Sequence, residues 1–158
     1  MRHFNFAAML LISLWLLSAC TTTGNGLAAG SRAAPAISLT TRDDGSTLVT
    51  VSADAAFQYD SSELQPPIAT ELVNKVQGLQ GQALVVSAYT DNVGAAAYNQ
   101  TLSQQRAQAI ADALTAAGFG ADRTRVHGYG EADPVASNET AAGRRQNRRI
   151  ELLFSAVP

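Results

Sequence analysis

The chain has 158 residues, 46% of them hydrophobic and 15% charged, which suits one small globular domain plus a separate element. A formal net charge of −2 argues against a general polyanion binder. A single cysteine excludes an intramolecular disulfide.

The separate element is the N-terminus. Residues 1–20 carry a basic start (Arg2, His3), an apolar run over residues 6–17, and small Ser18 and Ala19 before Cys20. An apolar run of roughly a dozen residues is shorter than the ~20 residues of helix that a bilayer core needs, so the segment reads as a secretory signal peptide over 1–19. Leu17-Ser18-Ala19-Cys20 resembles the bacterial lipobox, whose cysteine is acylated and becomes the first residue of the mature protein. Without acylation an exported lone cysteine would be a free reactive thiol, and two or three acyl chains supply the several anchors that stable membrane attachment requires. The alternative is an ordinary signal peptide cut at or beyond Ala19, with a buried thiol. Similarity to lipoproteins of diderm bacteria implies sorting to the outer membrane, because Thr21 stands where the inner-membrane retention signal usually has Asp. Loss of residues 1–19 removes Arg2 and makes the mature chain one unit more acidic.

Residues 20–36 are the lipidated cysteine and a stretch rich in Thr, Gly, Ala and Ser, which has little to bury and is expected to be a flexible tether. Fifteen such residues extend to at most about 50 Å. Ile37-Ser38-Leu39-Thr40 and Leu48-Val49-Thr50-Val51-Ser52 alternate apolar and polar around the turn signal Arg42-Asp43-Asp44-Gly45, which predicts a β-hairpin. Pro66-Pro67 opens a helix whose stripe is Ile68, Leu72, Val76 and Leu79. Residues 83–89 hold the apolar run Leu84-Val85-Val86 of a buried strand. Residues 98–117 are rich in helix formers and end at Gly118, a C-cap. Strands are expected at 124–129 and 149–154, with a loop or short helix between them. This order gives a single α/β layer.

Arg106 is the first residue to suggest a site. On a helix, Leu102, Arg106, Ile110 and Leu114 share one face, so the guanidinium lies at the edge of the core or in a cleft. Desolvation there demands a carboxylate, supplied either by the protein as a structural ion pair or by a ligand. Asp91 belongs to Tyr89-Thr90-Asp91-Asn92-Val93-Gly94, at the carboxyl end of the apolar strand, where open α/β sheets place their ligands. Alone, such a segment is a turn held by Asp and Asn side chains.

Five ordered blocks carry a resemblance. They are Phe57-x-Tyr59-Asp60-Ser61-Ser62-Glu63-Leu64, Thr90-Asp91-Asn92-x-Gly94, Tyr98-Asn99-x-x-Leu102-Ser103-x-x-Arg106-Ala107, Gly128-Tyr129-Gly130-Glu131 and Gly143-Arg144-x-x-Asn147-Arg148-Arg149-Ile150-Glu151. Together, over about residues 47–155, they resemble the OmpA-like C-terminal domain of the OmpA/MotB/Pal type. The resemblance implies an α/β fold, an α+β sandwich of order β-α-β-α-β-(α)-β, preceded by a β-hairpin, with one sheet and its helices on one face. The domain would occupy residues 37–158.

The resemblance also implies noncovalent binding of peptidoglycan at the diaminopimelate residue of its stem peptide. Positions matching Asp91 and Arg106 clamp the zwitterionic end of that side chain, the carboxylate taking the ammonium and the guanidinium the carboxylate. Thr90, Asn99 and Asp60 match positions around the same pocket, and Arg148 or Arg149 supplies a further contact. In place of the family's usual Gly-His before Thr-Asp, this chain has Ala88-Tyr89.

The arginines at 144, 145, 148 and 149 invite a nucleic-acid reading, which export argues against; a solvated basic loop packed on the sheet edge accounts for most of them. His127, the one histidine left after processing, has no partners at metal-ligand or triad spacing, so neither a metal, a cofactor nor an enzymatic role is expected. Three readings remain. The first is an outer-membrane lipoprotein, its domain in the periplasm, that tethers membrane to wall. The second is a periplasmic interaction or signalling protein whose domain binds a protein partner. The third is a wall-processing enzyme.

Overall fold

The computed structural model describes residues 35–157. The expected signal peptide over 1–19, Cys20 and all of the expected tether except Pro35 and Ala36 lie outside the described residues.

The hairpin forms as its alternation predicts. Strands β1 (Ile37–Thr41) and β2 (Thr47–Ser52) pair antiparallel from Ile37↔Val51 to Thr41↔Thr47. Gly45 takes φ +79° in the turn, where a side chain would be strained. Asp44 Oδ1 accepts the Ser46 amide at 2.8 Å and locks the loop. A four-residue helix α1 (Ala53–Ala56) follows directly, which the alternation of β2 did not announce.

Helix α2 (Pro66–Val76) begins on its two prolines and tightens into a 3₁₀ turn at Gln77–Leu79. Its stripe turns inward: Leu72 and Val76 are fully buried, and Ile68 and Leu79 pack against the core. Strand β3 (Ala83–Ala88) leads to the long α3 (Ala96–Ala116), which ends at Gly118 with φ +96° and folds Phe119 back onto the core. Strand β4 (Thr124–Gly128), helix α4 (Ala141–Asn147) and strand β5 (Arg149–Ser155) complete the described chain. Thr140 caps α4, its hydroxyl accepting the Gly143 amide at 3.0 Å.

Among the described residues the five strands form one sheet in the order β1-β2-β5-β3-β4, with only the β3–β4 pair parallel. The last strand thus inserts between the hairpin and β3. Val49, Val51, Leu84, Val86, Ile150, Leu152 and Phe154 face the helices and form the core with Leu72, Val76, Ile110 and Leu114. The opposite strand faces carry Thr50, Glu151, Ser87 and His127 in one register row. This is the one-sided, mixed α/β layer that the resemblance implies.

Ile37, Val51, Ile150, Ala88 and Gly128 are in register across all five strands, so the start of β1 lies at the same end of the sheet as the exit of β3. At that end β4 presses on α3. A Cβ on Gly128 would stand 2.2 Å from the Gln104 backbone nitrogen, so only glycine allows the approach. Gly130 then donates its amide to Ser103 Oγ and accepts that of Thr90, which ties the exits of β3 and β4 to the helix.

Candidate functional site

Beyond the exit of β3 a cleft of about 410 Å³ opens among α1, residues 57–60, the β3–α3 loop, α3 and α4. Asp60, Thr90, Asp91, Asn99, Arg106 and Arg148 all line it. Arg149 does not, so of the two adjacent arginines it is Arg148 that turns to the cleft.

Arg106 stands on the buried face of α3 with Leu102, Ile110 and Leu114, as helical spacing predicts. It is only 6% exposed. Its Nε donates to the Ser61 carbonyl at 2.8 Å, and the Phe57 ring lies 5.2 Å from the guanidinium carbon. No ion pair among the described residues reaches it. Burial pushes its pKa below the ordinary arginine value, opposed first by the field of Asp54. A desolvated cation bonded only to a neutral carbonyl is the feature that the sequence left open between a structural pair and a ligand.

Asp91 is 7% exposed and already engaged. Its Oδ1 accepts the Val93 amide at 3.0 Å, and its Oδ2 accepts Arg148 Nη1 at 2.5 Å. Arg148 turns its other edge to Asp54, with Nε and Nη2 donating at 2.6 and 2.7 Å. The Asp54 bond is the largest cause holding the Arg148 guanidinium above its ordinary value, and in return it lowers the pKa of Asp54. Asp91 is therefore a shared carboxylate, bonded within the protein as well as lining the cleft.

The other lining residues mostly build the wall. Thr90 donates its hydroxyl to the Asp91 carbonyl at 2.9 Å. Asn99 Nδ2 reaches the Asp91 and Val93 carbonyls at 3.3 and 3.2 Å, and Glu131 at 3.2 Å, so one buried amide gathers the loop onto α3. Asp60, at φ +57°, accepts the Tyr98 hydroxyl at the rim. Arg144 lines the cleft but spends Nη1 on the Asn138 carbonyl at 2.7 Å.

Tyr89 lies elsewhere. Its ring stacks on Tyr129 at 5.1 Å and sits 3.8 Å from the Arg149 guanidinium carbon, and it does not line the cleft. The Ala88-Tyr89 departure noted in the sequence therefore alters the neighbourhood of Arg149.

Residues 56–148 match the OmpA family, more than half of the chain. The chain belongs to the OmpA family. Probable lipoprotein YiaD of Escherichia coli K12 is 38% identical to it over 120 residues, 74% of this chain and 55% of YiaD. The chain spans about half or less of the length of the curated relatives it matches. Among solved structures, the cell wall anchor of the T6SS from Pseudomonas aeruginosa has a TM-score of 0.68 at 29% identity, covering 77% of this chain and 89% of that one. The peptidoglycan-associated lipoprotein from Burkholderia pseudomallei gives 0.57 at 30% identity, covering 64% and 88%.

Within this OmpA-family domain, two cleft residues that contact its arginines had no role assigned from sequence. Phe57 stood in a quoted block without a function, and its aromatic identity beside a buried arginine was the available signal. Asp54 had none, because its partner Arg148 is 94 residues away.

Proposed function

We propose that this OmpA-family domain binds peptidoglycan noncovalently by holding the diaminopimelate side chain of the stem peptide in the cleft. In this reading Cys20 is acylated, and the tether over 20–36 joins the outer membrane to a domain (37–158) that faces the periplasm. The observation that carries the reading is Arg106, buried, bonded to a carbonyl and lacking a carboxylate among the described residues. A ligand carboxylate supplies that anion, and both Nη groups retain donors for a bidentate grip. Asp91 supplies the opposite pole. Each of its oxygens accepts one bond from the protein and keeps a second acceptor position for an ammonium. A zwitterionic end meets both needs, whereas an acid or an amine alone leaves one pole unmet. Thr90 and Asn99 hold the Asp91 loop in place, and Asp60 and Arg148 complete the walls. The names of the similar structures, a cell wall anchor and a peptidoglycan-associated lipoprotein, agree with this reading.

Co-sedimentation with diaminopimelate-containing sacculi tests it. Wild-type protein is expected in the pellet, and Asp91→Ala and Arg106→Ala in the supernatant; full retention of either variant would remove the clamp. For the anchor, Cys20→Ala is expected to leave the membrane fraction or to accumulate as precursor.

A further inference from the structure

Arg148 presents its Nε and Nη2 to both oxygens of Asp54, and a single Nη1 to Asp91. A guanidinium fork grips one carboxylate with two parallel bonds, and here α1 holds that fork. We propose that Asp54 is a positioning residue for amine recognition: by occupying the fork of Arg148, it keeps Asp91 incompletely neutralised and open to a ligand ammonium. The inference rests on the wall-binding reading of the cleft and adds to it the residue that sets selectivity for the amine.

Charge placement supports this role. Asp91 has one bond from Arg148 and one from the Val93 amide, which leaves an acceptor position on each oxygen. Were Arg148 to turn its fork onto Asp91, the second acceptor position on Oδ1 would be taken and the guanidinium would neutralise Asp91 alone instead of sharing its charge with Asp54. Arg145 Nε is 3.8 Å from Asp54 but is itself largely exposed, so it does not replace Arg148 as the partner. Asp54 also acts on the second cation: its negative field opposes the desolvation of Arg106. Removing Asp54 thus makes the cleft more cationic at both ends. Ligand carboxylates keep their partner, and ligand amines lose theirs.

The discriminating experiment uses the mature chain as wild type, Asp54→Asn and Asp54→Glu, with calorimetric titration of two stem peptides. One ends its side chain in the amino acid group of diaminopimelate; the other carries 2-aminopimelate, which keeps the distal carboxylate and lacks the distal amine. Wild type is expected to prefer the first by tenfold or more, on the order of one charged hydrogen bond. Asp54→Asn is expected to erase about tenfold of that preference while holding or improving affinity for the second peptide. Asp54→Glu restores part of the preference. Undiminished preference in Asp54→Asn, or equal loss of both peptides, overturns the inference. If wild type binds neither peptide, the wall-binding reading fails. The positioning role is then judged from the crystal structure of Asp54→Asn: Arg148 with two bonds to Asp91 upholds it, and Arg148 unmoved overturns it.

Discussion

Two arginines in this molecule are equally buried and differently satisfied. Arg149, on the sheet face away from the cleft, is 6% exposed; it meets Glu151 at 2.7 Å, the Asp133 carbonyl at 3.1 Å and the face of Tyr89 at 3.8 Å. Arg106, in the cleft, is also 6% exposed and has the Ser61 carbonyl and a more distant Phe57 ring. Burial alone therefore does not mark a binding site. What separates the two regions is the anion: one region supplies its own, and the other supplies none among the described residues.

Substitutions should separate these roles. The largest effect is expected from Arg149→Ala, which strands Glu151 and removes the support under Tyr89. Urea unfolding should show a loss of about 3 kcal/mol, while protein that remains folded still pellets with sacculi. A loss below about 1 kcal/mol would break the contrast, since it would make Arg149 dispensable to the fold. Next is Gly128→Ala, which drives β4 against the α3 backbone on which the cleft is built. A destabilisation of about 2 to 3 kcal/mol is expected, measured the same way.

Arg106→Leu should act in the opposite sense to Arg149→Ala. Affinity for a diaminopimelate peptide is expected to fall by about 2 kcal/mol, read by calorimetry. Stability is expected to hold within about 1 kcal/mol or rise, because a desolvated charge without an anion has been replaced by an apolar chain. The smallest effect concerns pH. Pairing with Arg148 holds Asp54 below its ordinary value of 3.8, so its contribution is fully present above that value and is lost as pH falls through the lower folded one. The stability gap between wild type and Asp54→Asn should be under about 1 kcal/mol at neutral pH, given the exposure of the pair, and should shrink below pH 3.8.

Local patterns in the sequence carried most of the elements. The hairpin was legible from period-two alternation around Asp-Asp-Gly, α2 from its four-residue stripe, and α3 from the same spacing that put Arg106 on an apolar face. Strand order was not, because the placement of β5 between β2 and β3 depends on pairings such as Thr47↔Phe154 between distant segments. The two arginines at the start of β5 illustrate the same limit. Adjacent residues leaving a helix point to different sides, and only the register of β5 decides that Arg148 meets Asp54 and Arg149 meets Tyr89. Tyr89 was decipherable: with Ala88 facing the core, alternation sends the next side chain to the other face of the sheet, away from the cleft.

The register row from Ile37 to Gly128 has a mechanical meaning. Residue 36, whose carbonyl accepts the Ser52 amide at 2.8 Å, lies at the cleft end of the sheet. A pull between a ligand held by Arg106 and the chain upstream of residue 35 would run across one short end of the sheet, leaving the length of the strands out of line with the load. Such a pull would peel β1 from β2 one hydrogen-bonded pair at a time, starting at Ile37↔Val51, while β2, β5 and β3 stayed together. The β1–β2 pairs nearest the cleft would then carry such a load before the rest of the sheet.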